Sequence, residues 1–298
     1  MVSVSQSEYP FAGHFLDRDG VRQHYLDEGE GDPVVMLHGN PTWSFFYRNL
    51  VKELRDRFHV IVPDHVGCGL SDKPDDSHYE YTLKQRVDDV ESLLENLGIT
   101  ENITLVLHDW GGMIGMAFAG RRPERIKRIV LLNTGAFHLP KEKELPLPIW
   151  LVRDTPIGSL LVRGLNAFSL GAVKWCATRE PLSEDVREGY LAPYGNWADR
   201  IGVLRFVQDI PLEPGDPSYD TVSEAETKLS AFADLPILIL WGERDFVFDR
   251  HFLKEWREIW PKAELHSFPE AGHYLIEDER KTVLKLVGEF LDRHPITK

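Results

Sequence analysis

Short apolar runs alternate with stretches of helical period through the first half of the chain. Val34-Val35-Met36-Leu37-His38 and Val60-Ile61-Val62-Pro63 are brief, rich in β-branched residues and bounded by turn formers, so each predicts a buried strand. From Thr82 to Leu97 the apolar positions Val87, Val90, Leu93, Leu94 and Leu97 share one helical face, and Thr82 with Gln85 fits a capping box. Ile103 to Leu107 predicts a strand, Gly112 to Arg121 a helix and Ile129 to Leu132 another strand. The pattern stops near Ala136. From there to Glu226 the chain carries prolines, tryptophans and short helical pieces without strand signals. Alternation resumes with a strand, Pro236 to Trp241, a helix, Arg250 to Trp260, a strand, Glu264 to Phe268, and a last helix, Lys281 to Arg293.

This order predicts an α/β fold, a mostly parallel central sheet flanked by helices. The core spans 1–135 and 227–298, and a helical cap at 136–226 interrupts it. Open α/β sheets bind ligands beyond the carboxyl ends of their strands, so an insert leaving that edge roofs a site. The 298 residues suffice for such a core and cap. A formal net charge of −14 repels phosphate backbones and excludes nucleic acid as a partner. No apolar run is long enough to span a membrane, and Met1 to Phe15 lacks the basic-then-apolar order of a signal peptide. The two cysteines, Cys68 and Cys176, lie far apart and suggest neither a disulfide framework nor a zinc site, which fits a reduced, cytoplasmic protein.

The chemistry concentrates where strands end. Leu105-Val106-Leu107-His108-Asp109-Trp110-Gly111-Gly112 runs a strand into a helix through a turn with glycines just past its tip, the pattern of a nucleophile elbow. The usual Gly-x-Ser-x-Gly is altered: Asp109 stands at the tip and Leu107 at the first glycine position. A carboxylate there is nucleophilic without a base to deprotonate it. Gly242-Glu243-Arg244-Asp245 and Pro269-Glu270-Ala271-Gly272-His273 follow later strands at the same edge. The order nucleophile, acid, histidine suits the fold, with Asp245 as the acid and Glu243 as its competitor. His38-Gly39-Asn40-Pro41 follows another buried strand, and backbone N–H groups there and at Trp110 are candidates for an oxyanion hole. The Asn40 amide and the Trp110 indole add two neutral side-chain donors beside Asp109 that suit a departing anion such as halide. Phe137, Trp150, Phe168, Trp175, Trp197 and Phe206 are candidate walls for an apolar pocket.

At these residues the sequence resembles the haloalkane dehalogenase family over nearly its whole length. The resemblance is carried by His38-Gly39-Asn40-Pro41 with Trp43, by Pro63-Asp64-His65 with Gly67-Cys68-Gly69-Leu70-Ser71-Asp72-Lys73-Pro74, by His108-Asp109-Trp110-Gly111-Gly112, by Gly242-Glu243-Arg244-Asp245 and by Gly272-His273. It implies an α/β-hydrolase fold, Asp109 as nucleophile, His273 as base, and Asn40 with Trp110 as the halide-stabilising pair. The family's acid follows one of two strands. The earlier position reads Leu132-Asn133-Thr134, without a carboxylate, which leaves Asp245. Arg86-Val87-Asp88-Asp89, Phe168, Ala192-Pro193-Tyr194-Gly195-Asn196-Trp197 and Phe206-Val207-Gln208-Asp209-Ile210-Pro211-Leu212 are similar to a third subfamily. That subfamily overlaps the β-lactone decarboxylases of bacterial long-chain olefin synthesis.

The resemblance therefore implies cleavage of a carbon–halogen bond through an alkyl ester on Asp109, with decarboxylation of a β-lactone as the alternative. The partners implied are a small apolar substrate, water and, for a dehalogenase, halide, with enzymes of olefin biosynthesis as further candidates. No metal or cofactor is called for. Phe168, Phe206, Pro211 and Leu212, with Phe137, are the pocket residues it points to. An epoxide hydrolase would need tyrosines from the cap, where Tyr190, Tyr194 and Tyr219 lie. A ligand-binding protein on the same fold is the non-enzymatic alternative.

Overall fold

The computed structural model describes residues 4–296. Eight strands form one sheet: β1 (His14–Arg18), β2 (Val21–Glu28), β3 (Pro33–Leu37), β4 (His59–Pro63), β5 (Ile103–Asp109), β6 (Ile126–Thr134), β7 (Ile237–Gly242) and β8 (Glu264–Phe268). Their spatial order is β1-β2-β4-β3-β5-β6-β7-β8. From β4 to β8 every pairing is parallel, whereas β2 runs antiparallel to β4 and β1 antiparallel to β2.

The expected parallel strands recur, several of them longer than the apolar run alone suggested. The β1–β2 hairpin is additional. Its signal, Asp19-Gly20 with both residues at positive φ (55° and 83°), fits a two-residue hairpin turn. What hid it is the polar content of β2: Gln23 and His24, on opposite faces of the strand, are both fully buried, where burial on both faces calls for an apolar run. Both are tied to the loop after β4, Gln23 donating to the Asp64 carbonyl and His24, through Nδ1, to the Asp64 carboxylate.

Among the described residues twelve α-helices flank and roof the sheet: α1 (Arg48–Leu54), α2 (Leu83–Asn96), α3 (Trp110–Arg121), α4 (Leu147–Asp154), α5 (Ile157–Ser159), α6 (Ala167–Trp175), α7 (Glu184–Leu191), α8 (Ile201–Gln208), α9 (Tyr219–Lys228), α10 (Arg250–Ile259), α11 (Leu275–Asp278) and α12 (Arg280–Arg293). Thr82 caps α2 by accepting from the Gln85 N–H, but the Gln85 side chain turns to Asp89, so only half of the expected capping box forms. Strand alternation divides the core. Val35, Leu37, Leu105, Leu107, Ile129 and Leu131 face one helical layer, with α2, α3, α9 and α10. Val34, Met36, Val106, Val130, Leu238 and Leu240 face the other, with α1 and α12. α9, which the expected insert counts with the cap as far as Glu226, packs on α3 and buries Val222 and Ala225 in the first of these layers.

Two buried ionic groups tie the roof to the core, one through a tyrosine and one directly. Arg48 of α1 meets Glu277 of α11 at 2.5 Å, and Glu277 accepts from the Tyr190 hydroxyl of α7 at 2.6 Å. Arg86 of α2 meets Asp209, just past α8, at 3.1 Å. Burial lifts the Asp209 carboxyl to about 6 despite that guanidinium.

Candidate active site

Three strand ends converge beneath the cap. The β5–α3 turn holds Asp109 at φ 53°, ψ −127°, a conformation that costs a non-glycine residue about 1–3 kcal/mol and aims its side chain off the sheet edge. The turn is held from the side: the Thr134 hydroxyl donates to the Asp109 carbonyl at 2.5 Å. Neighbours must be small. A Cβ on Gly39 would lie 1.9 Å from Asp109 Oδ1, and one on Gly111 would lie 1.9 Å from the Leu37 carbonyl oxygen. α3 starts at Trp110 rather than at the expected Gly112, so Asp109 itself is the residue preceding the first helical turn.

Asp245 and His273 lie on the loops after β7 and β8. His273 Nδ1 donates to Asp245 Oδ2 at 2.7 Å, and His273 Nε2 is 3.5 Å from Asp109 Oδ2. Asp245 is fixed in turn by the N–H groups of Val247 (2.7 Å) and Phe248 (3.1 Å) through its other oxygen. All three side chains are buried. Burial pushes the Asp109 carboxyl up, against the opposing pull of His273 and of the Asn40 and Trp110 backbone N–H groups. Burial alone would lower His273; Asp245 and then Asp109 outweigh it, so the imidazole is raised. The competitor Glu243 sits at the surface and accepts from the Ser267 hydroxyl. Asn133, in the earlier acid position, bridges β6 to β7 by exchanging hydrogen bonds with Gly242.

The donors expected beside the nucleophile are arranged differently from the sequence reading. The Asn40 backbone N–H donates to Asp109 Oδ1 at 2.7 Å, whereas its side-chain Nδ2 donates to the Val203 carbonyl of α8 at 3.0 Å. The backbone groups read as an oxyanion hole thus favour the ionised form of Asp109 itself. Trp110 lines the cavity above Asp109, its ring resting 5.4 Å from that of Phe206.

That cavity has a volume of about 390 Å³. Phe168, Phe137 and Pro211 line it, together with Trp175, Ile149 and Val207. Phe206 and Leu212 do not. Phe206 is fully buried behind Trp110, with the Arg86 guanidinium 3.8 Å from its ring centre, because its position on α8 turns it toward α2 and α3. Leu212 lies where the chain turns to let Asp216 accept from its backbone N–H, which carries its side chain out of the cavity wall. Trp150 and Trp197 face outward, about half exposed.

The polar side chains at the cavity are few. Besides Asp109, Asn40 and His273, Lys143 donates to the Phe246 carbonyl at 2.9 Å and pairs with Asp249 at 2.8 Å. Cys176 is a buried thiol that burial pushes well up, which keeps it neutral. The cap tyrosines are engaged elsewhere: Tyr190 with Glu277, Tyr194 with the Thr42 carbonyl, and Tyr219 stacked on His138. No group of three or more His, Cys, Asp or Glu residues that could hold a metal ion occurs among the described residues.

One polar residue quoted in the sequence had been given no role. Asp64 is fully buried at the end of β4, accepting from His24 (2.8 Å) and from the Ser44 (2.7 Å) and Leu70 (2.8 Å) N–H groups. It fixes the loop from His65 to Ser71 against β2. The signal was present in Pro63-Asp64-His65 directly after a buried strand, but an aspartate there reads equally as a solvated loop residue.

Comparison with known proteins fits this geometry. The family model described as α/β-hydrolase fold matches residues 32–153 and 182–280. A cis-3-alkyl-4-alkyloxetan-2-one decarboxylase of Shewanella oneidensis is 58% identical over 282 residues, covering 95% of this chain and 89% of its own. A haloalkane dehalogenase of Mycolicibacterium paratuberculosis is 33% identical, covering 91% and 89%. Among solved structures, a haloalkane dehalogenase of Agrobacterium tumefaciens C58 superposes with a TM-score of 0.84 at 26% identity, covering 95% and 97%.

Proposed function

The chain belongs to the α/β-hydrolase family, and from that premise we propose that it decarboxylates a β-lactone bearing two alkyl chains, with Asp109 as nucleophile. The observation that carries this reading is the 58% identity, over 95% of the chain, to a cis-3-alkyl-4-alkyloxetan-2-one decarboxylase, against 33% for a haloalkane dehalogenase. Of the two activities the sequence suggested, the comparisons therefore favour the lactone over the haloalkane. The cavity supports it: its walls are largely apolar, with charge gathered around Asp109 and His273 and at the ion-paired Lys143.

The proposed chemistry uses the residues as they stand. Asp109 attacks the alkyl-bearing ring carbon bonded to the ring oxygen, and that carbon–oxygen bond breaks with its electron pair on oxygen. The product is an ester on Asp109 and a free carboxylate on the neighbouring carbon. The bond between that carbon and the carboxylate then breaks, and its electrons form the alkene. The ester bond breaks, Asp109 recovers its charge and carbon dioxide leaves. No water or proton is consumed. Inversion in the first step followed by departure from opposite sides in the second keeps both alkyl arms on one side, giving a cis-alkene. His273, held by Asp245, stabilises the returning Asp109 carboxylate across 3.5 Å. The apolar cavity favours loss of carbon dioxide because charge spreads out in that transition state. This reading calls for a preceding enzyme that closes the lactone. The two buried free thiols support a reducing, cytoplasmic setting.

The second reading, dehalogenation, is favoured by Trp110 lining the cavity beside Asp109. There Asp109 displaces halide, and His273 activates water to hydrolyse the ester. An epoxide hydrolase lacks its acid, since no cap tyrosine lines the cavity. The test is a paired assay of purified protein and Asp109→Ala: alkene release from a cis-dialkyl β-lactone, and halide release from 1-bromobutane. Alkene formation that depends on Asp109, with at most trace halide, is expected. Fast halide release without alkene overturns the lactone reading.

A further inference from the structure

Large apolar side chains are distributed unevenly over the surface. Of ten that stand out as exposed among the described residues, eight lie between Leu147 and Trp197, all in the roof. Leu147, Leu165 and Trp175 expose 72%, 61% and 61% of their surface. Seven of the eight fall on α4, α5, the π-helical turn Leu160–Gly164 with Leu165 just after it, and α6. On α6 the division is plain from the helical period. Phe168, Gly171, Ala172 and Trp175 line the cavity, while Leu170 points the other way into solvent. Scattered exposed leucines need no explanation, but a concentration of this kind marks a surface that meets something apolar.

Two further observations say what that is. First, the face is continuous with the cavity mouth: Trp175 and Phe246 line the cavity and are themselves 61% and 46% exposed. A substrate or product leaving the cavity therefore passes onto an apolar surface. Second, the charge of this region opposes that of the molecule. From α4 to α6, residues 147–175, the chain carries Arg153, Arg163 and Lys174 against Asp154, a local +2 in a chain of −14. Lys141, Arg163 and Lys174 have no carboxylate within ion-pairing distance among the described residues, and Lys174 and Arg163 instead lie 5.2 Å and 4.8 Å from the Trp175 and Trp197 ring centres. Exposed apolar side chains among tryptophans and cations form an interfacial surface for anionic lipid.

We propose that the cap face formed by α4, α5, the π-helical turn and α6 docks on an anionic lipid surface, so that the cavity mouth opens into the hydrocarbon. No helix of the described residues is long and apolar enough to cross a membrane, so the contact is peripheral. That the mouth passes alkyl chains rests on the lactone reading above; the docking itself is tested without turnover. The surface would take a lactone with long alkyl arms from the bilayer and return the alkene to it, sparing both a passage through water.

The experiment is co-sedimentation of the full chain with vesicles of phosphatidylcholine alone and of phosphatidylcholine with phosphatidylglycerol. It compares wild type with Leu147→Ser/Leu165→Ser/Leu170→Ser, three positions outside the cavity wall, and with Arg163→Glu/Lys174→Glu. Wild type is expected to bind the anionic vesicles and to lose binding as salt rises. The serine variant is expected to bind at least about a hundredfold more weakly and the charge-reversed variant about tenfold more weakly. Circular dichroism and turnover of detergent-dispersed lactone check that the variants are folded. Failure of wild type to bind anionic vesicles, or equal binding by all three proteins, overturns the proposal. A wild-type dimer in sedimentation velocity that the serine variant converts to monomer, without vesicle binding, also overturns it and assigns the face to a contact between copies. Loss of turnover with vesicle binding intact counts against the lactone reading and leaves docking standing.

Discussion

The carboxyl edge of the sheet and the roof above it hold their side chains by different means. At the edge, Asp109, Asp245 and His273 hang from turns after β5, β7 and β8; the Thr134 hydroxyl pins the Asp109 carbonyl, and the Val247 and Phe248 N–H groups hold the Asp245 carboxylate. Their positions follow from short-range hydrogen bonds and from glycines that leave no room for alternatives. The roof is made of short helices joined by irregular turns, and it is fixed to the core by the buried pair Arg86–Asp209 and by Tyr190 donating to Glu277. The edge thus supplies reacting groups at fixed distances, while the roof supplies shape and an apolar medium. Changes at the edge should act on rate with little cost to folding, and changes at the roof's anchors should do the reverse.

The largest effect expected is at the elbow. Asp109→Gly should lower turnover by about 10⁴-fold or more if Asp109 is the nucleophile we propose. It should leave the unfolding free energy unchanged or about 1 kcal/mol higher, because it relieves a strained backbone and a desolvated carboxylate. Alkene yield by gas chromatography and urea unfolding check the two halves; a large loss of stability would show that the elbow is not strained. Arg86→Leu is the counterpart at the roof. It strands Asp209 in the interior and should cost about 3–5 kcal/mol of stability by urea unfolding. Wild-type stability in this variant would break the idea that the pair anchors the roof.

Acid separates the regions in another way. Burial raises the Asp64 carboxyl, but His24 and the backbone donors outweigh it and leave it at about 2, below the ordinary 3.8. A depressed carboxylate contributes stability that is full above its unfolded value and is lost as pH falls through the folded one. The term should therefore disappear between about pH 4 and pH 2 and amount to about 2 kcal/mol. Comparing the unfolding free energies of wild type and Asp64→Asn across that window checks it, and a difference that stays constant with pH would count against it. The smallest effect is expected at the cavity wall. Phe168→Ala should raise KM for a lactone by about tenfold or less with kcat nearly unchanged, because it removes apolar contact without touching the reacting groups. A matching fall in kcat would mean that Phe168 also positions the ring over Asp109.

How legible each region was follows the same division. The parallel strands and the turn carrying Asp109 are written locally, in β-branched runs and in glycines at fixed offsets. The order of Asp109, Asp245 and His273 along the chain was enough to bring them to one edge once the sheet was known. The β1–β2 hairpin does not show in the apolar pattern because Gln23 and His24, on opposite faces of β2, are polar yet buried, held by Asp64 some forty residues away. Phe206 and Phe168 illustrate the limit in the roof. Both are aromatics on short helices beside similar neighbours, yet one lines the cavity and the other lies behind Trp110 under Arg86.

By itself, then, the sequence determined the α/β class, the elbow and the order of the three groups at its edge, because strand alternation and tight turns depend on residues next to one another. Only the tertiary structure decided which cap side chains meet the cavity, that the Asn40 amide turns to Val203, and that α9 packs with the core. Those outcomes depend on how short helices dock over a sheet built from distant segments. Their energies come from buried contacts between residues that no local pattern connects.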